Sequence, residues 1–170
     1  MLTVLIETLN DEETLPLTLA SLIPAVIEGV VREVIVCDRG STDRTDHVAE
    51  HAGCGYLASG GLAAGARAAK GEWLVVMEPG ARLVEGWMDG VLAHISAGPL
   101  PARFGRARDE AQPLLSRLFA RRRPLAEGLL IPKGQALALL RGHADAHGLA
   151  RAAAAKRLSG ARIRPAVKKG

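Results

Sequence analysis

The stretch "EVIVCDRGSTDRT", residues 33–45, joins a short apolar run to a polar turn. Residues 34–37 are apolar, as expected for a strand that is covered on both faces. Asp38 ends this strand, and residues 40–43 then read Gly-Ser-Thr-Asp, which is typical of a turn before a helix. In open parallel sheets, ligands bind where loops leave the carboxyl ends of the strands. The stretch therefore predicts a polar ligand site around Asp38, although a capped strand-to-helix turn alone would also explain these polar residues.

Strand-like and helix-like segments alternate four times in the first 97 residues. Short aliphatic or β-branched runs indicate the strands, and apolar residues at helical spacing indicate the helices. Such alternation is typical of an α/β protein with a parallel sheet and helices on both faces. The predicted strands are 2–6, 32–38, 55–59 and 72–78; the predicted helices are 11–22, a helix that stops at Gly53, 62–70 and 83–95.

The alternation weakens after Gly98, but the chain is short enough for one domain spanning residues 1–170. This second part is predicted to contain an edge strand within 98–104, helices from Pro113, at 132–142 and at 145–158, and a last strand at 161–167.

Charge divides the chain into two unequal halves. Residues 1–98 carry 6 basic and 14 acidic side chains, whereas residues 99–170 carry 16 basic and 4 acidic ones, which together give the net charge of +4. Such a basic half, densest at 103–108 and 121–123, suits phosphates, anionic lipid or nucleic acid, or simply attracts the acidic half. Only Phe104 and Phe119 interleave with the arginines, too few for a stacking platform, so a nucleic-acid partner is not expected.

The remaining features indicate an ordinary cytoplasmic protein. No apolar run is long enough to cross a bilayer, and the N-terminus lacks the basic and apolar regions of a signal peptide. Cys37 and Cys54 lie in strand-like runs and suggest no disulfide. His143 and His147 are four residues apart, but no cysteine or carboxylate pattern accompanies them as it would in a histidine metal site.

Three ordered segments within residues 3–97 resemble the nucleotide-sugar-binding half of family 2 glycosyltransferases. They read "TVLIETLNDEETLPLTLASL", "EVIVCDRGSTDRT" and "GLAAGARAAKGEWLVVMEPGARL". The resemblance implies the GT-A fold, a Rossmann-like three-layer arrangement with a mostly parallel central sheet. It also implies that residues 1–98 bind the nucleotide sugar and that residues 99–170 form a shortened acceptor side. The substrate-binding residues implied by the resemblance and by the strand ends are Thr8, Leu9, Asn10, Asp11, Asp38, Gly40, Ser41, Gly60 and Gly61.

The resemblance is less complete at the residues that carry chemistry. The family's Asp-x-Asp motif, which binds a divalent metal, maps onto Glu78 and Gly80, so one carboxylate is missing. A weak Mg²⁺ or Mn²⁺ site at Glu78 is therefore expected, because these hard cations need anionic oxygen ligands. Glu7 and Ala63 stand where the family usually has proline and asparagine.

The family's catalytic base belongs to a Glu-Asp pair before a late helix. That pair maps near Asp145, with His143 and His147 as the only other nearby bases. Asp145 is the predicted base, although the same residue would also serve as a helix cap.

Two hypotheses follow for function. The first is a transferase that moves a sugar from a nucleoside-diphosphate sugar to an unknown acceptor, with weak or altered metal dependence. The second is a catalytically inactive GT-A module that binds a nucleotide or a partner protein. In either case the basic half, with residues 121–123, is a candidate for peripheral contact with anionic lipid.

Overall fold

The computed structural model of the protein describes residues 1–107, 123–143 and 145–167. Its strands are β1 (Leu2–Thr8), β2 (Val31–Asp38), β3 (Gly55–Leu57), β4 (Trp73–Met77), β5 (Arg82–Leu83), β6 (Ala102–Arg106), β7 (Leu129–Pro132) and β8 (Lys156–Arg164). Its helices are α1 (Leu15–Ile27), α2 (Thr45–His51), α3 (Gly61–Ala68), α4 (Trp87–Ala97), α5 (Lys133–Leu140) and α6 (Ala146–Ala152). Within the described part of the chain, no helix is long and apolar enough to cross a membrane.

All described strands belong to one sheet in the order β3-β2-β1-β4-β7-β6-β8-β5. The first four are parallel, as the sequence predicts, whereas β7 is antiparallel to both β4 and β6, and β8 runs parallel to β6. In the parallel part Thr8 is paired with Asp38, and Ile6 is paired with Met77. The registers therefore bring the carboxyl ends of β1, β2 and β4 to the same edge of the sheet.

Helices cover both faces of this sheet. Side chains alternate along each strand, so Val4 belongs to the core cluster that includes residues of α1, α2 and α4, while Leu5 belongs to the cluster that includes residues of α3, α5 and α6. The same alternation separates Val75 from Leu74 on β4. This confirms the predicted α/β architecture with three layers.

The first helix differs from its prediction at both ends. It was expected at 11–22, but it begins at Leu15 and continues to Ile27, past Pro24. The start is late because the preceding residues are bound to a neighbouring loop. The helix passes Pro24 because its buried stripe continues to Ala25, although a proline has no N–H to donate within the helix.

The C-terminal elements also differ from their predictions. The helix expected at 145–158 ends at Ala152, and β8 begins at Lys156. Tertiary pairing decides this: β8 pairs with β6 and β5 and buries Leu158, Ala161 and Ile163. The strand predicted within 98–104 is β6, which is not at an edge but lies between β7 and β8. The helix predicted from Pro113 lies outside the described residues.

Candidate active site

The loops that follow β1 and β2 are joined by reciprocal hydrogen bonds between backbone N–H groups and side-chain oxygens. Asn10 stands at φ 57°, a left-handed conformation that asparagine tolerates better than most residues. The bonds are Asn10 N to Ser41 Oγ (2.8 Å), Asp11 N to Thr45 Oγ1 (2.9 Å), Glu12 N to Asp43 Oδ2 (3.0 Å), Thr42 N to Asn10 Oδ1 (2.8 Å) and Arg44 N to Glu12 Oε2 (2.8 Å). The polar residues of the turn thus do more than cap their own helix, because they hold the two loops at one edge of the sheet.

Asp38 is the anchor of this arrangement. The residue is only 4% exposed, and its carboxylate accepts hydrogen bonds from Thr8 Oγ1 (2.8 Å), Gly40 N (2.9 Å), Ser41 N (2.7 Å) and Ser41 Oγ (2.5 Å). Burial alone would raise the pKa of Asp38, but the hydrogen bonds from Ser41, Thr8 and Gly40 outweigh it and hold the pKa below its ordinary value. Asp38 is therefore a buried, ionised group that holds the ends of β1 and β2 and the loop after β2 in place.

Tyr56 on β3 lies beside Asp38 and was not singled out in the sequence. Burial, followed by hydrogen bonding to Asp38 and its negative charge, raises the pKa of Tyr56 to about 12. The phenol thus remains protonated at neutral pH. It places an aromatic ring beside Asp38, one of the substrate-binding residues that the resemblance implies.

A cleft of about 230 Å³ opens at the carboxyl ends of β1 and β4. Of the predicted substrate-binding residues, Thr8, Leu9 and Asp11 line it. Asn10, Asp38, Gly40 and Ser41 do not line the cleft, but their hydrogen bonds hold the loops that do. Gly60 and Gly61 lie at the start of α3 and are not part of the cleft wall.

The floor of the cleft is formed by Glu78, directly after β4. Its side chain is 8% exposed, and Arg123 Nη1 lies 3.2 Å from Oε2. His147 Nε2 lies 3.8 Å from Oε1. Neither carboxylate oxygen accepts a hydrogen bond from any described residue. A buried carboxylate without such bonds is costly, so Glu78 depends on the positive charge beside it.

Gly80 fills the position of the family's second metal-binding carboxylate. It has φ 85°, and its N–H donates to Thr18 Oγ1 at 2.8 Å. A Cβ at this position would lie 3.3 Å from the Cβ of Ala166 and 3.4 Å from that of Thr14. An aspartate here would therefore be strained in the present backbone, because the positive φ favours glycine and the added Cβ would press on Ala166 and Thr14.

The donor set around Glu78 does not fit a resident divalent metal while Arg123 is in place. Among the described residues no three His, Cys, Asp or Glu side chains are grouped as metal ligands. Glu78 and His147 are two donors, and a guanidinium already faces the carboxylate. A cation bound to both oxygens of Glu78 would be held close to that like charge, which opposes its binding. The Mg²⁺ or Mn²⁺ site at Glu78 stays a prediction.

Asp145, the predicted catalytic base, is the N-cap of α6. Its Oδ1 accepts a hydrogen bond from Gly148 N at 2.6 Å, and the residue does not line the cleft. His147, the second residue of the same helix, does line it. The catalytic role of Asp145 therefore stays a prediction, with His147 the better exposed of the two to the cleft. His143 is exposed and does not line the cleft either.

Glu7, on β1, lines the cleft at the position where the family usually has proline. Its Oε2 accepts a hydrogen bond from Ala146 N at 3.3 Å. Burial raises the pKa of Glu7; the bond from Ala146 and the charge of Arg39 oppose this rise, while Asp145 adds to it. A charged residue next to the end of an otherwise buried strand was the only sequence signal for this role. A carboxyl with a raised pKa in a cleft is a candidate for proton transfer.

Replacing Glu7 with glutamine is expected to raise the melting temperature at pH 8 and to leave it unchanged at pH 4. The pKa of Glu7 is higher in the folded state than in the unfolded state. The stability that the protonated carboxyl contributes is therefore complete below the unfolded-state pKa, and it is lost as the pH rises through the folded-state pKa. Glutamine stays neutral and can still accept the bond from Ala146. The melting temperature measured from pH 4 to pH 8 tests this.

Glu85, which is exposed, is the matched control for this substitution. Glu85→Gln should change the melting temperature by the same small amount at pH 4 and at pH 8. A Glu7→Gln variant that is no more stable than the wild type at pH 8 would contradict the assignment.

A larger groove, of about 640 Å³, lies between α1 and α2 and is distinct from the cleft. It is lined mainly by aliphatic side chains, with Arg44, His47 and His51 as its charged or titratable groups. Among the described residues that line it, none is a carboxylate and none ends one of the strands named above. The polar residues that follow β1 and β4 line the smaller cleft instead.

Comparisons with known proteins agree with this architecture. The family model described as glycosyl transferase family 2 matches residues 3–112. Among solved structures, the chain is similar to glucosyl-3-phosphoglycerate synthase from Mycobacterium tuberculosis, crystallised with Mn²⁺, UDP and glucosyl-3-phosphoglycerate. The TM-score is 0.62 at 21% identity, covering 100% of this chain and 73% of that one.

The chain is also similar to residues 1–349 of TarS from S. aureus, crystallised with UDP-GlcNAc. Here the TM-score is 0.69 at 15% identity, covering 99% of this chain and 59% of that one. No match was found among curated protein sequences. These likenesses confirm the predicted GT-A arrangement, and the family model covers well over half of the residues. The chain belongs to glycosyl transferase family 2.

Proposed function

We propose that the protein transfers a sugar from a nucleoside-diphosphate sugar to an acceptor, with weak or altered dependence on a divalent metal. The observation that carries the proposal is the polar cleft at the carboxyl ends of β1 and β4, with a buried Glu78 facing Arg123 and His147. In open α/β sheets this edge is where ligands bind. Membership of glycosyl transferase family 2 supports the reaction class. The solved structures that contain UDP or UDP-GlcNAc support the donor class.

The nucleotide is proposed to lie against the loop that follows β1. Leu9 is 48% exposed at the cleft and offers an apolar surface to a base. Thr8 and Asp11 are polar neighbours within the same cleft wall. Asp38 does not line the cleft but helps to fix this loop, and Gly40 and Ser41 hold the Asp38 carboxylate by donating hydrogen bonds to it. Direct contacts of Asn10, Asp38, Gly40, Ser41, Gly60 and Gly61 with the substrate stay predictions.

Proton removal from the acceptor hydroxyl is assigned to the group formed by Glu7, Asp145 and His147. Glu7 and His147 line the cleft, and the negative charge of Asp145 acts on Glu7. One oxygen of Asp145 is used by the helix cap, so this carboxylate holds the start of α6 and thereby positions His147. A general base must reach the acceptor hydroxyl within hydrogen-bond distance, and the two cleft-lining side chains meet this requirement more readily.

The peripheral contact with anionic lipid rests only on the positive charge of residues 99–170. Arg121 and Arg122 lie outside the described residues. Arg123 is described, and it faces Glu78 in the cleft. Its position supports a role at the phosphates of a donor more directly than a role at a membrane surface.

Nucleoside-diphosphate sugars are expected to raise the melting temperature of the protein by roughly 5–10 °C at a hundredfold excess over Kd. UDP-, GDP- and TDP-sugars are tested by thermal shift, each with and without Mn²⁺. Leu9→Glu should remove the shift, because it replaces an apolar contact and places a negative charge near the diphosphate.

Leu92, 45% exposed on α4, is the matched control, since Leu92→Glu adds the same charge away from the cleft. If no sugar nucleotide stabilises the wild-type protein, the proposed function is wrong. Stabilisation without transfer to any member of a broad acceptor panel would favour the second hypothesis, an inactive nucleotide-binding module.

A further inference from the structure

Arg123 and Glu78 form an oppositely charged pair in the cleft. The carboxylate follows β4 directly and is buried in the cleft floor, where the resemblance places a metal ligand. The positive charge nearest to it belongs to the protein itself, with Arg123 Nη1 at 3.2 Å. The positive charge beside this carboxylate is thus supplied by a side chain.

Arg123 is held in place from two directions. Its Nη2 donates to Ala166 O at 2.6 Å, in the segment that follows β8, while Nη1 faces Glu78. The side chain is 36% exposed and lines the cleft. A guanidinium has five N–H donors, and one contact to a carbonyl and one close approach to a carboxylate do not use all of them. Arg123 therefore retains donors for a further anion.

A diphosphate is the anion that this geometry suits. Arginine binds phosphate oxygens through parallel N–H donors, and its charge persists at any pH at which proteins are folded. Arg39 lines the same cleft and supplies a second positive charge. Two guanidinium groups at one cleft can neutralise the leaving nucleoside diphosphate, which in a metal-dependent enzyme is done by the ion.

We propose that Arg123 binds the diphosphate in place of a divalent metal at Glu78, so that nucleoside-diphosphate binding needs no metal in the wild-type protein. The inference rests on the proposed function and specifies how its donor is held. In this arrangement Glu78 holds Arg123 in position and does not ligate an ion. When Arg123 is removed, Glu78 and His147 become available to a metal.

Calorimetric titration of the 170-residue chain with UDP, in EDTA and in Mn²⁺, tests the proposal. Wild-type protein is expected to bind UDP with equal affinity in both. Arg123→Ala should lower the affinity in EDTA about 30-fold, because hydrogen bonds between charged groups are lost. Mn²⁺ should restore part of this loss in Arg123→Ala only. Arg123→Lys should fall between the two, since it keeps the charge but not the paired donors.

Glu78→Gln separates the proposal from a metal site at the same residue. If Glu78 only positions Arg123, Glu78→Gln should leave UDP binding in EDTA within a few-fold of the wild type, because the bond to Ala166 O still holds the guanidinium while less of its charge is neutralised. If Glu78 is a metal ligand, the same change should abolish Mn²⁺-dependent UDP binding. A titration with Mn²⁺ alone adds a readout without nucleotide: binding is expected in Arg123→Ala but not in the wild type.

Arg32→Ala, an exposed arginine at the opposite end of β2, is the matched control and should bind UDP as the wild type does. Melting temperatures of all variants show whether each one is folded. UDP binding by the wild type only in Mn²⁺, or unaltered binding by folded Arg123→Ala, would overturn the inference while leaving the proposed function intact. Absence of any UDP binding, together with no response to GDP- or TDP-sugars, would instead sink the proposed function and this inference with it.

Discussion

Replacing Asp38 with asparagine is expected to lower the free energy of unfolding by about 3–5 kcal/mol and to abolish nucleotide binding. The carboxylate accepts four hydrogen bonds from Thr8, Gly40 and Ser41. An asparagine amide has one oxygen, so donors that now face a carboxylate oxygen would face an NH₂ group. Each buried donor left without an acceptor costs about 1–3 kcal/mol. The loops after β1 and β2 would then separate, and the cleft wall that contains Leu9 would no longer be fixed.

The effect of Asp38 depends on pH in a defined direction. Its folded-state pKa is lowered, so its contribution to stability is present above the unfolded pKa of about 3.9 and is lost as pH falls through the folded pKa. The difference between wild type and Asp38→Asn should therefore be constant near neutrality and should shrink in acid. Urea denaturation at a series of pH values measures it.

Asp46→Asn is the matched control for Asp38→Asn. Asp46 is exposed in the first turn of α2, and its substitution should change stability by less than about 0.5 kcal/mol. An Asp38→Asn protein that unfolds within 1 kcal/mol of the wild type, or that still binds UDP, would show that the loops are held by other bonds. The hold on the loops would then have to come from contacts between them, such as the hydrogen bond from Asn10 N to Ser41 Oγ.

Replacing Gly71 with alanine is expected to cost about 3 kcal/mol, the upper end of the usual cost of overpacking, and to lower the melting temperature by roughly 10 °C. Gly71 lies before β4, and its N–H donates to Thr3 Oγ1 at 2.9 Å. An added Cβ would lie 2.7 Å from Thr3 N, 2.8 Å from Leu2 C and 2.8 Å from Met1 O. All three are backbone atoms of β1 and its start, so no side chain can turn aside to make room.

Gly134→Ala is the control for Gly71→Ala. Gly134 lies in the first turn of α5, where an added Cβ meets nothing within 4 Å. This substitution should leave stability unchanged or raise it by up to about 1 kcal/mol, because alanine loses less backbone entropy in a helix. Thermal denaturation of both variants tests the pair. A Gly71→Ala protein as stable as the wild type would show that β1 can move away from the turn at little cost.

The sequence predicted the parallel half of the fold because the information there is local. Each strand from β1 to β4 is a short apolar run, and each helix has its own periodic face and end signals. The polar turn after Asp38 was also visible, since Gly40 and Ser41 follow a buried strand. What it could not show was that Ser41 bonds to Asn10, thirty-one residues away, rather than only to its own helix.

The second half was predicted less well because its elements are decided by pairing. Residues 156–158 continue a run with good helical propensity, yet they begin β8, which pairs with β6 and β5 and buries Leu158, Ala161 and Ile163. The helix α1 likewise starts late because its first predicted residues are bound to another loop. Local preference is weak compared with burial and sheet hydrogen bonds, so tertiary contacts overrode it in both places.

The sequence by itself determined the scaffold and the position of the site. Strands with apolar runs, glycine-marked turns and Asp38 at a strand end fix which edge of the sheet carries chemistry, because these signals lie within a few residues of one another. The tertiary structure decided what the site contains. Glu7, Glu78, Arg123 and His147 come from distant parts of the chain, and only the register of β1 and β4 and the return of the chain before β7 bring them together. The electrostatic effect of a charged side chain depends on which charges lie near it in space, and the linear sequence does not specify these neighbours.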